Sequence, residues 1–215
     1  MLIMNKLRFC NLSQSLYSGK TKMAPGRRPH REGCMAMFFV SEVKRTIPDT
    51  FKTALQEKVY QALAELSIPF ERVDTDVAVT MNDCLLINRR LSMQMVKTLF
   101  LCNRRKTEFL LFIGPGDKPF RSGEFGGALG VERLSFAPAE LLESMLGTGI
   151  GAATVFSALL DSSRGVRFVF DAAVAAAEWY GCSDGTTTGY MKIRTEHVLK
   201  RFLPATGRTH SVVRL

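Results

Sequence analysis

Lys97 is the residue most out of place in this chain. It stands in Val96-Lys97-Thr98-Leu99-Phe100-Leu101-Cys102, whose β-branched and aromatic residues read as a strand. An ammonium among apolar neighbours must snorkel, pair or do chemistry, because burying it alone is costly. The plainer reading is an edge-strand lysine facing water. Two loops of small residues are the other chemical candidates, Gly-Thr-Gly-Ile-Gly-Ala-Ala-Thr-Val at 147–155 and Gly-Cys-Ser-Asp-Gly-Thr-Thr-Thr-Gly at 181–189. Loops of this kind present backbone N–H groups and let a ligand come close. That suits contact with an oxyanion or a phosphate better than acid–base work. Ordinary turns share the same composition.

Other chemistry is poorly represented. No HExxH helix, complete phosphate-binding loop or Gly-rich dinucleotide fingerprint after a strand occurs. Gly19-Lys20-Thr21 resembles the end of a phosphate loop, but Gln14 stands where its first glycine belongs. Asp74 and Asp76 have the spacing of a solvated loop pair, and His197 that of a surface or capping residue on a helix. The five cysteines, Cys10, Cys34, Cys84, Cys102 and Cys182, form no CxxC pair and keep no ligand spacing to His30, His197 or His210. A zinc site and a disulfide framework are therefore not expected, and reduced thiols are.

The elements that must position these groups follow from length and periodicity. A chain of 215 residues, 46% hydrophobic and 23% charged, has the makings of one ordinary domain, and no apolar run is long enough to span a membrane. Residues 1–34 carry seven basic residues against the single acid Glu32, while the remainder holds 22 basic and 19 acidic residues. The expected organisation is thus a basic leader or tail over 1–34 and a single domain over 35–215. An Arg-rich, acid-poor leader fits an organellar, mitochondrial address, and Met35 or Met37 offers a later start for a cytoplasmic protein. The mildly basic remainder permits a polyanionic partner without requiring one.

Apolar spacing from Phe51 to Leu66 predicts a helix capped by Asp49 or Thr50. An edge strand follows at 68–73, then a short helix capped by Thr80. Val96–Cys102 and Phe109–Ile113 form a hairpin across Asn103-Arg104-Arg105-Lys106. Further on come a helix near 122–129, a strand at 133–136, and the helix Ala139–Leu146 between Pro138 and Gly147. A strand at 166–170, a helical stretch from Ala172 to Trp179, a strand from Thr186 to Ile193 and a last helix from Thr195 to Leu203 complete the reading. Helices and strands alternate without a strict βαβ order, which predicts an α/β (α+β) fold: a mixed, mostly antiparallel sheet surrounded by helices.

Four segments carry a resemblance. They are Tyr60 to Val73, Lys97-Thr98-Leu99-Phe100-Leu101, Leu129 to Ala137 with the leucine-rich helix and Gly147 behind it, and Phe202-Leu203 to Thr206-Gly207. In order and spacing they resemble the YbaK and prolyl-tRNA synthetase associated (ProX, PrdX) domain family, freestanding relatives of a synthetase editing insertion. The resemblance implies a trans-acting deacylase that cleaves the ester of mischarged tRNA(Pro), alanyl-tRNA(Pro) first and cysteinyl-tRNA(Pro) as an alternative, without metal or cofactor. It implies catalytic roles for Lys97, as an electrostatic anchor, and for the backbone of Gly151, Ala152 and Ala153. Substrate contacts are implied at Thr80, Thr154, Val155, Gly181, Thr186 and Thr188. Besides tRNA, prolyl-tRNA synthetase or a multi-synthetase complex is an implied partner, and a membrane is not. Val155 stands where the family usually has proline, Gly181-Cys182 where it has His-Pro, and Thr75 and Arg208 where histidines are common. A silent tRNA- or synthetase-binding module is the rival reading.

Overall fold

The computed structural model describes residues 38–78 and 81–215. The expected leader 1–34 and Thr80 lie outside the described residues. The strands form two sheets. Strands β1 (Phe70–Asp74), β7 (Gly189–Arg194) and β6 (Trp179–Ser183) make an antiparallel sheet ordered β1-β7-β6. The second sheet is ordered β4-β2-β3-β5-β8, from β2 (Val96–Cys102), β3 (Phe109–Pro115), β4 (Ser135–Phe136), β5 (Val166–Asp171) and β8 (His210–Val213). Its β4–β2 and β2–β3 pairs are antiparallel, whereas β3–β5 and β5–β8 are parallel. The expected mixed, mostly antiparallel architecture with helices around it is the one observed.

Period-two alternation explains the layering. Phe100, Leu111, Ile113, Phe168 and Phe170 leave one face of the five-stranded sheet and meet Tyr180, Cys182, Met191 and Ile193 of the other sheet. Helix α1 (Ala54–Glu65) adds Leu55, Val59 and Leu63 to this core, and Phe156 and Phe202 close it edge to face at 5.1 Å. Leu99, Leu101, Leu110 and Phe112 point the other way, onto Phe125 of α3 (Ser122–Leu129). Helix α2 (Met81–Leu91) covers Val73 and Tyr190 with Ile87 and Leu91.

Several boundaries differ from the sequence expectation. Helix α1 starts at Ala54 because the Thr53 side chain, not that of Asp49 or Thr50, accepts the Gln56 N–H. Helix α2 runs on to Leu91, further than its short apolar signal suggested. Helix α4 (Ala139–Leu146) matches, with Gly147 in the left-handed conformation (φ 65°) that ends it. The helix expected over 172–179 stops after α5 (Ala172–Ala175), and Trp179 instead opens β6. That strand was hidden because Gly181, Cys182 and Ser183 have little strand propensity of their own. A Cβ on Gly181 would lie 2.4 Å from Met93 Sδ and 2.9 Å from the Gln94 carbonyl oxygen, so close packing selects glycine there. The last helix passes through Pro204, as α6 (Thr195–His197), a π turn (Val198–Phe202) and α7 (Leu203–Ala205).

Candidate active site

The first loop leaves α4 at Gly147 and turns tightly. The Ala152 N–H donates to the Gly149 carbonyl at 3.1 Å, and Gly151, third in that turn, has φ 85°, which strongly favours glycine. The turn occupies the Ala152 N–H internally. The N–H groups of Gly151 and Ala153 find no acceptor among the described residues. Gly151 is exposed and Ala153 half-buried, whereas Ala152, Thr154 and Val155 are buried. Thr154 caps the 3-10 turn Val155–Leu159, and its hydroxyl donates to the Ser183 carbonyl at 2.9 Å. The Ser183 hydroxyl returns the contact by donating to the Ala152 carbonyl at 3.1 Å, and it accepts the Gly185 N–H at 3.2 Å. The two small-residue loops are therefore one unit, with Ser183 as the clasp.

The second loop is built around a buried carboxylate. Asp184, 1% exposed, accepts from Gln56 Nε2 at 2.7 Å, the Tyr60 hydroxyl at 3.1 Å, the Thr186 N–H at 3.1 Å and the Thr186 hydroxyl at 2.8 Å. Gln56 and Tyr60 are one helical turn apart on α1, so one helix face reaches both. Gly189 must lack a side chain, since a Cβ there would sit 2.1 Å from Asp184 Oδ2. Thr186 also accepts the Thr188 N–H at 3.3 Å. The Lys52 ammonium donates to the Thr188 hydroxyl, and the Thr188 carbonyl accepts the Thr75 N–H at 2.9 Å. These bonds take residues 186–188 out of the expected strand, so β7 starts at Gly189.

Lys97 approaches from β2. Its ammonium, half-buried, donates to the Lys118 carbonyl. Burial lowers its pKa, and the Asp117 carboxylate opposes the shift. Lys118 in turn donates to buried Asp171 at 2.9 Å and to the Leu215 carbonyl, which ties the β3–α3 connection to the chain end. Lys97 is thus held on the β3–α3 connection, and the loop unit on α1. An isolated parallel bridge, Met95 to Gly181, links the two, two residues before Lys97 and two before Ser183.

Titration narrows what this arrangement can do. Burial first, and Asp184 second, pushes the Cys182 thiol far up, with the Thr154 hydroxyl opposing. A buried thiol held protonated is no nucleophile. Burial and Asp184 likewise raise the Tyr60 hydroxyl, which stays a neutral donor. Asp74 is engaged by Lys44 at 2.9 Å and Arg72 at 2.7 Å, and Asp76 accepts the Phe39 N–H, so both hold residues 39–44 beside β1. Among the described residues no three His, Cys, Asp or Glu side chains stand close enough to hold a metal ion. The chemistry on offer is hydrogen bonding by fixed backbone donors, with one lysine of lowered pKa two residues beyond the Met95–Gly181 bridge. Sequence reasoning missed Ser183, Asp184, Gln56 and Tyr60. The legible signal was two polar residues, one turn apart, on the apolar face of α1.

Comparison with known proteins supplies the context. A solved structure described as a candidate trans-editing enzyme for prolyl tRNA synthetase superposes with a TM-score of 0.57 at 16% identity, covering 77% of this chain and 98% of that one. The hypothetical protein APE2540 gives 0.56 at 16% identity over 73% and 98%. A scaffold from computational epitope grafting gives 0.56 at 16% over 76% and 97%. At such identity these structures establish the fold. No curated protein matches the chain. The model of the aminoacyl-tRNA editing domain matches residues 76–200, a span that includes Lys97 and both small-residue loops. With that match covering more than half of its length, the chain belongs to the aminoacyl-tRNA editing domain family.

Proposed function

We propose that the protein hydrolyses the ester of a mischarged tRNA in trans, with alanyl-tRNA(Pro) as the first substrate. The observation that carries this reading is the clasped loop, which holds the exposed Gly151 and half-buried Ala153 N–H groups in place without occupying them. Attack of water on the ester carbonyl puts negative charge on its oxygen. Fixed N–H donors stabilise that charge at no cost in reorganisation, and losing one such donor typically costs about 10²–10³ in rate. Lys97 supplies a positive charge for the ester or the terminal phosphate. Thr154, Thr186 and Val155 act here indirectly, by holding the loops, while Gly181, Thr188 and Ala152 shape their backbone. Family membership supports a tRNA ester as substrate, and the likeness to a candidate trans-editing enzyme for prolyl tRNA synthetase directs the first choice to tRNA(Pro).

The test is time-resolved deacylation of alanyl- and cysteinyl-tRNA(Pro) by the full chain and by Lys97→Ala. Release of alanine that collapses in the variant supports the assignment. Preferential release of cysteine keeps the hydrolase and changes its substrate. Binding of tRNA with no release of either amino acid overturns the enzyme reading in favour of a silent binding module.

A further inference from the structure

The β2–β3 connection places Arg104, Arg105 and Lys106 in succession at an exposed tip. The tip has a defined shape. Asn103 Oδ1 accepts the Thr107 N–H at 2.9 Å, its carbonyl accepts the Lys106 N–H at 3.0 Å, and Lys106 takes φ 54°. Beside it, β4 pairs with the end of β2, Ser135 opposite Cys102. Between tip and strand lies a cleft of about 370 Å³ lined by Asn103, Arg104, Lys106, Arg133, Ser135 and Phe136, among others. No carboxylate lines it. None of Arg104, Arg105, Lys106 and Arg133 forms an ion pair with another described residue. Phe136, on the same edge, is 52% exposed.

Unpaired cations around a cleft attract a polyanion, and an exposed ring among them gives a base a surface to stack on. Elsewhere many basic side chains are already engaged, as in Lys44 with Asp74, Arg45 and Lys192 with Glu71, and Arg194 with Glu178. We propose that this cleft grips the phosphates of the RNA substrate at a distance from the ester, an assignment that rests on the reading of a tRNA ester as substrate. Lys97 and the cleft stand at opposite ends of β2, about 17 Å apart at about 3.3 Å per residue. One strand thus carries the anchor for the reacting end and the grip for the nucleic acid behind it.

The test measures binding of uncharged tRNA by fluorescence anisotropy across a salt series, so no hydrolysis is needed. The full chain is compared with Arg104→Glu/Lys106→Asp and with Arg133→Asn. Asp and Asn suit positions 106 and 133, whose φ is positive. Lys58→Glu/Lys200→Glu, which changes the net charge as much as the double variant but at exposed sites on other elements, is the control. At about 0.1 M salt the double variant should lose at least about tenfold in affinity, with a salt slope smaller by about two, while the control keeps wild-type binding. Phe136→Ala should weaken binding and leave the slope alone. Equal losses in the double variant and the control, or no loss in either, overturn the proposal. So does a double variant that loses an acidic protein partner but keeps tRNA. Selective loss of tRNA by a protein that deacylates nothing supports the grip and refutes the enzyme. Deacylation with unaltered binding in the double variant does the reverse.

Discussion

The Ser183 hydroxyl donates to the Ala152 carbonyl at 3.1 Å across 31 residues of sequence. With Thr154 bonded back to the Ser183 carbonyl, this pair makes two flexible-looking loops into one rigid rim. A rim of small residues has little side-chain burial to hold it, so a few hydrogen bonds and a buried carboxylate set its position.

Asp184 is the most exacting of these. In Asp184→Asn one acceptor oxygen becomes a donor facing donors, either Gln56 and Tyr60 or the Thr186 pair. Leaving such buried groups unsatisfied costs about 1–3 kcal/mol each. Thermal melts should show a fall of about 2–4 °C for each kcal/mol lost in a chain of this size. An unchanged melting temperature would mean that the carboxylate is not needed as an acceptor.

Gly151→Ala tests the rim separately from the core. The nearest atom to the new Cβ is Thr187 Cγ2 at 3.6 Å, an ordinary contact, but φ 85° strains any L side chain. The turn should relax at a cost of about 1–2 kcal/mol and carry the Gly151 and Ala153 N–H groups out of line. Deacylation kinetics should show a lower kcat with tRNA affinity kept. A fall in affinity alone would place the loop in RNA binding and not in the chemical step.

The charge on Lys97 gives a pH signature. Burial favours the neutral amine, so the ammonium is present at low pH and lost, as pH rises, earlier than from an ordinary lysine near 10.4. Enzymatic deacylation, corrected for spontaneous hydrolysis, should therefore decline on the alkaline side below that value. Lys97→Arg, whose guanidinium stays charged, should lose this decline. The same alkaline limb in both proteins would assign it to another group.

Acid should loosen the three-stranded sheet first. The Lys192 ammonium, at 2.7 Å, holds the Glu71 carboxyl below its usual value, helped by Arg45 and opposed by burial. A carboxylate depressed in the fold contributes stability above its unfolded pKa and loses it as pH falls through the folded value. Melting temperature should drop on the acid side of about 4, and Lys192→Gln should make that drop shallower. Equal acid sensitivity in both would remove the pair from the account.

The sequence by itself determined the elements whose signals are local. The Lys97 hairpin, helix α4 between Pro138 and Gly147, and the mixed α/β class follow from alternation, capping and turn chemistry, which act over a few residues. The family resemblance was legible for the same reason, since its motifs are short and ordered. Tertiary structure decided whatever depends on partners far along the chain. Strand β6 exists because Gly181 admits Met93 and Gln94, and residues 186–188 leave their strand because Asp184 gathers them toward α1. The path through Pro204 and the parallel seat of β8 beside β5 likewise rest on packing. Composition showed two loops of small residues; only the fold clasped them together through Ser183, because a hydroxyl finds its acceptor in space and not along the sequence.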